Sequence, residues 1–218
     1  MPDRYRSVAD VLRHEAENVE IVARAIARSN VAILGLHAGD IEPLTGELAA
    51  AIAGRDHRLY LFAGTATSDN GRLHITSTRF DEPGLRRVLA GARTAVSIHG
   101  ESGDRERFTL IGGLNGSLGR RIAAALDAQG FEVLDAGARL GGRSRRNAVN
   151  RVPNGGVQLE LSRGLRNAML DGDLNGRKNR ADPQKWTPEF DRYVDAIRRV
   201  LENDTDGWLG LLRRCIDG

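Results

Sequence analysis

The stretch VAILGLHAGDIEPLTGELAAAIAG, Val31–Gly54, decides how this chain folds. Val31 to His37 is a near-continuous apolar run, the mark of a strand covered on both faces. Pro43 then suits the first turn of a helix, Leu44, Leu48 and Ile52 recur at fourfold spacing, and Gly54 is a natural stop. A strand that runs straight into a helix is the building unit of a parallel sheet. At the joint sit His37, Asp40 and Glu42, three side chains that can bind a metal or move a proton.

The same alternation extends outward. Residues 7–29 read as a helix. RLYLFAG (58–64) and RLHITST (72–78) read as two short strands, paired antiparallel across the turn-former Asp69-Asn70-Gly71. A helix opened by Pro83 follows over 82–92, then a strand over 94–100 ending in His99-Gly100. Further strands are expected over 107–113, 131–136 and 155–162. Helices are expected over 116–130, from 163 onward, and in two pieces over 188–203 and 206–216. This order gives an α/β class: an open, mixed, mostly parallel sheet flanked by helices. No repeat or linker divides the chain, so one catalytic domain is expected over 1–218, with a helical extension from about 186. Trp186, Trp208 and the single Cys215 read as packing residues.

Composition narrows the function. The 218 residues are 40% hydrophobic and 28% charged, a globular balance. No apolar run has the length to cross a bilayer. The charged N-terminal stretch has no signal-peptide core, so a cytoplasmic protein is expected, released by lysis if it is phage-derived. One cysteine excludes an internal disulfide and a cysteine zinc cage. Net charge is +3, with arginine-rich clusters at 139–146 and 175–180 that would attract a polyanion. That polyanion could be an acidic peptide-like polymer or a nucleic acid. Aromatics make up only 5%, too few for base-stacking platforms, and no helix-turn-helix or zinc-finger spacing is present. A nucleic-acid-binding accessory protein is therefore the weaker reading.

In parallel sheets, ligands bind where strands end. His37 and His99 both follow apolar runs at such ends. Hydrolytic zinc takes three protein ligands and leaves one position open. His37 with Glu42 would form a close pair, folded together by the small Ala38 and Gly39, and His99 would be the distant third. Each taken singly also fits an ordinary hydrogen-bonded residue. On GGVQLELS, Gln158, Glu160 and Ser162 point away from Leu159 and Leu161. Glu160 reads as a general base or as the partner of Arg163 or Arg166. Arg151, Arg163 and Arg166 could grip substrate carboxylates or be ordinary surface charge. His74 could line the pocket or be structural, and His14 and His57 carry no signal.

These segments resemble the poly-γ-glutamate hydrolases of phage and bacteria. The resemblance rests on LGLHAGDIEPLTGELAAAIAG, LYLFAG, LHITSTRFDEP, AVSIHG, IGGLN and NAVNRVPNGGVQLELSRGLR, in order from about residue 31 to 166. It implies a zinc-carboxypeptidase-like fold and one Zn2+ on His37, Glu42 and His99. It also implies Glu160 as the catalytic glutamate and hydrolysis of γ-glutamyl amide bonds in an anionic polymer. The substrate-binding set would be Arg151, Arg163, Arg166, His74 and Gln158. Another acylated amino acid or a cell-wall γ-glutamyl link is the alternative substrate. Ala38 stands where the family more often has glycine, Asp40 is expected to add a charge beside the ligands, and Arg79 is more basic than the pattern.

Overall fold

The computed structural model describes residues 3–216, with side chains as far as Glu202. Strands β1 (Val19–Arg24), β2 (Val31–Gly39), β3 (Arg58–Gly64), β4 (Thr94–Glu101), β5 (Phe108–Gly113), β6 (Glu132–Asp135) and β7 (Gly156–Ser162) form one sheet, in the order β1-β3-β2-β4-β7-β5-β6. The central run β3-β2-β4-β7 is parallel, as is β5-β6, while β1-β3 and β5-β7 are antiparallel. The helices are α1 (Val8–Glu15), α2 (Thr45–Ala53), α3 (Pro83–Leu89), α4 (Gly116–Asp127), α5 (Gly137–Leu140), α6 (Arg163–Ala168), α7 (Arg177–Ala181) and α8 (Pro188–Ile216).

Strand alternation sorts two cores. Ile33, Val96, Ile98, Val157, Leu159 and Leu161 face Leu48 and Ile52 of α2, Ile122 of α4 and Phe190 and Tyr193 of α8. Each such side chain, fully buried, contributes roughly 1.5–3 kcal/mol. Ala32, Leu34, Leu36, Tyr60 and Phe62 face Val8 and Val11 of α1, Leu85 and Val88 of α3, and the loop residues Leu73, Ile75 and Phe80. Central strands are thus covered on both sides, which is why they read as near-continuous apolar runs. No helix among the described residues is long and apolar enough to cross a membrane.

Four sequence expectations are corrected. The helix over 7–29 ends at Glu15, and Val19–Arg24 is an edge strand with β-branched Val19, Ile21 and Val22 on it. RLHITST forms no strand, because both edges of β3 are taken by β1 and β2; residues 70–73 and 77–79 make 3₁₀ turns instead. Helix α2 starts after Pro43, with Leu44 at φ 76° ahead of its first residue. The two expected terminal helices are one, Pro188–Ile216; its interior glycines, Gly207 and Gly210, cost only about 1 kcal/mol each. Trp186 packs as expected, stacked on Phe190 with ring centroids 4.2 Å apart. Trp208 and Cys215 lie outside the described side chains.

Candidate active site

His37 reaches the site through a bulge. Between Gly35 and Ala38 the register of β2 on β3 shifts, from Gly35↔Leu61 to Ala38↔Ala63, so β2 carries one extra residue. Simple alternation from Ile33 would aim His37 at α2. The bulge turns it to the opposite face, where its Nε2 meets the carbonyl of Ile75 at 2.9 Å. His99 and Glu160 already face that way, side by side in register on β4 and β7. The chain then returns sharply at Gly39, whose φ is 68°; a Cβ there would lie 2.4 Å from the Gly64 carbonyl oxygen. The Glu42 amide donates to the His37 carbonyl at 2.9 Å, closing the turn. Leu44 stays in its left-handed conformation, a strain of about 1–2 kcal/mol, with its side chain fully buried.

Three donor atoms converge. His37 Nδ1 lies 2.8 Å from Glu42 Oε1 and 3.1 Å from His99 Nδ1, and Glu42 Oε2 lies 3.6 Å from His99 Nδ1. Glu42 Oε2 also accepts from the Gly100 amide at 2.8 Å. The Ile75 carbonyl can only accept, so it fixes the His37 proton on Nε2. In the neutral ring, Nδ1 then aims a bare lone pair at a carboxylate. Either a proton on Nδ1 or a metal ion held by both atoms resolves that contact. Burial pulls the His37 pKa down, but the charge and hydrogen bond of Glu42 outweigh it and the net shift is upward. Burial pushes the Glu42 carboxyl up, yet His37 and His99 overcome this and hold it well below the usual carboxylate range.

The cluster His37, Glu42 and His99 fits a metal ion, with its ligand atoms all within 4.8 Å of one another. A tetrahedron with bonds of about 2.0–2.1 Å has edges near 3.3 Å, close to the separations seen. His99 Nε2, the ring nitrogen that the cluster does not use, is buried without a hydrogen-bond partner. Two imidazoles and a carboxylate suit zinc.

Around the cluster opens a cleft of about 560 Å³, lined among others by His74, Gln158, Glu160, Arg139 and Arg143. Burial raises the Glu160 pKa, opposed by the charge of His99. Gln158 donates to Glu160 Oε1 at 2.9 Å. His74, in a loop, lies with its ring centroid 4.0 Å from that of His37, and its Nδ1 meets Asp3 Oδ1 at 2.9 Å.

The arginines are placed differently from the sequence reading. Arg166 is buried and donates to the carbonyls of Leu161, Pro43 and Glu101 at 3.2, 2.8 and 2.9 Å, so it ties the ends of β7 and β4 to the turn before α2. Burial lowers its pKa to about 10. Arg151 donates to the carbonyls of Phe80, Thr78 and Arg146. Arg163 bonds Asn175 at 2.9 Å and faces Asp104, beside a depression that adjoins the cleft at Glu42 and Glu101. Arg139 and Arg143 line the cleft instead; the sequence marked them as a basic cluster but not as part of the site. The Asp40 carboxylate likewise turns away from the ligands, to Arg177 at 2.6 Å and to the buried Arg180.

The comparisons with known proteins agree with this geometry. The model of a family described as poly-gamma-glutamate hydrolase matches residues 5–196, beyond the segments that carried the resemblance. The UPF0714 protein YmaC of Bacillus subtilis (strain 168) is 34% identical over 209 residues, covering 93% of this chain and 86% of its own length. The solved structure of a bacteriophage poly-gamma-glutamate hydrolase superposes with a TM-score of 0.87 at 34% identity, over 95% of this chain and 100% of that one. A zinc-free apo structure of YndL superposes with a TM-score of 0.84 at 26% identity, over 93% and 99%. The sheet is the open, mixed, zinc-carboxypeptidase-like arrangement that the sequence implied.

Proposed function

The chain belongs to the poly-γ-glutamate hydrolase family, and from that premise we propose that it is a zinc-dependent hydrolase of γ-glutamyl amide bonds in an anionic glutamate polymer. The observation that carries the metal is the convergence of His37 Nδ1, Glu42 and His99 Nδ1 beside an ionisable Glu160. His37, Glu42 and His99 would hold the zinc, which when bound supplies Lewis acidity toward water and a carbonyl. Glu160 takes the proton of the attacking water and passes it to the leaving amine. Its raised pKa brings it nearer the neutral range, where a base can both accept and return a proton. Arg139 on the cleft wall binds substrate carboxylates, Arg143 beside it is paired with Asp135 at 2.8 Å, and His74 and Gln158 border the scissile bond. Arg151 and Arg166 act as scaffold, since their donors are committed to backbone carbonyls. We read residues 1–218 as one catalytic unit, because a single sheet carries every site strand.

The test is cleavage of γ-linked against α-linked polyglutamate, with and without a chelator. γ-selective cleavage, lost on chelation and restored by zinc, is expected. Equal cleavage of both polymers contradicts the substrate, and cleavage indifferent to chelation contradicts the metal.

A further inference from the structure

The amide of Gln158 is fixed from both ends. The Val149 amide donates to Asn147 Oδ1 at 3.2 Å, which leaves Asn147 Nδ2 to donate to Gln158 Oε1 at 2.8 Å. Gln158 Nε2 must therefore point the other way. There it donates to Glu160 Oε1 and to the Leu140 carbonyl, both at 2.9 Å. Asn147 and Gln158 are each only 5% exposed, so little water competes. Gly142 packs against the same amide: a Cβ there would lie 2.6 Å from Gln158 Oε1, and its φ of 57° favours glycine as well.

Leu140 ends α5, the short helix that carries Arg139. One NH2 group thus binds the proposed base and the wall that bears a cleft arginine. Asn150 holds the rest of that wall through the Gly142 and Ser144 carbonyls at 2.6 and 2.8 Å.

We propose that Asn147 is a positioning residue for hydrolysis: it sets the Gln158 amide so that one NH2 group aims the Glu160 carboxylate and fixes it relative to the substrate wall. The proposal rests on Glu160 being the base. Asn147 hydrogen-bonds neither Glu160 nor any metal-binding residue; it reaches Glu160 through Gln158, while its Oδ1 caps the turn over Ala148–Asn150.

The test compares Asn147→Asp with Asn147→Ala in zinc-loaded protein turning over poly-γ-glutamate. An aspartate cannot donate, so Gln158 must turn its oxygen toward Glu160 and the Leu140 carbonyl. Alanine leaves the Leu140 bond to hold Gln158 in place. The nearly isosteric change should therefore lose more kcat than the truncation, about tenfold or more, at unchanged KM and zinc content. Packing alone predicts the reverse order, and that order, or wild-type kcat in both variants, overturns the proposal. Gln158→Met keeps the shape without the amide and carries the test independently: kcat should fall at constant KM, and a wild-type kcat overturns the idea. Glu160→Gln separates the two readings. If it is inactive while the Asn147 variants turn over normally, only the positioning role fails; if it is fully active, the base assignment fails and the proposal with it.

Discussion

His37 can present only Nδ1 to the cleft, because the Ile75 carbonyl holds its other nitrogen as a donor. That constraint makes the residue a ligand in waiting, and it comes from a loop 38 residues further along. Glu160 is constrained in the same manner by Gln158. Replacing Glu160 with Gln should leave zinc binding intact and lower kcat by about 10²–10⁴-fold; loss of the metal in that variant would make Glu160 a ligand. Burial raises its pKa, and a base works only when ionised. Activity should therefore fail as pH drops through a value above the ordinary carboxylate range, and an acid limb at or below about 4.3 would contradict the buried base. His37, His99 and Glu160 stood out as candidates because each ends or interrupts an apolar strand, where a polar side chain needs a reason, and Glu42 because it sits beside His37 at the strand-to-helix joint. The roles of the arginines were not. A guanidinium is satisfied by whatever carbonyls the tertiary fold brings to it, as the three partners of Arg166 show.

Strands and helices were read correctly wherever the pattern had one interpretation, as in β2, β3, β4, β7 and α4. The failures have physical causes. VEIVAR carries enough charge to pass for one face of a helix, and only the open edge of β3 makes it a strand. LHITS has a strand's pattern, but both edges of β3, the strand it was expected to pair with, are taken. The bulge in β2 left no mark in the sequence, since Gly35 to Ala38 reads as an unbroken run, yet it decides which face His37 takes. The turn that follows depends on Gly39. Gly39→Val forces a β-branched residue to positive φ against the Gly64 carbonyl, at about 1–3 kcal/mol for the backbone alone. Urea denaturation should show a lower midpoint and the variant should bind zinc more weakly. An unchanged midpoint with full zinc would mean that the return at Gly39 is not what holds Glu42 beside His37.

At the scale of the whole molecule, a sheet gathers four ionisable residues from β2, β4, β7 and one turn, and an arginine-bearing wall stands over them. A polyanion should feel that wall. Raising ionic strength should raise KM while kcat holds, since salt screens exposed charges over about 10 Å. Arg139→Ala should raise KM roughly 3–10-fold, the scale of a partly exposed charged contact near 1 kcal/mol, with little change in kcat. A KM insensitive to both would remove the wall from substrate binding. The most direct measurement is the metal content of purified protein, wild type beside His99→Ala, after zinc is supplied. His99 lies 62 residues from His37 and joins it only through the β2–β4 pairing and the bulge. About one zinc per chain in the wild type, lost in the variant, is the predicted result. No zinc in the wild type, or equal zinc in both proteins, would contradict the account at its centre.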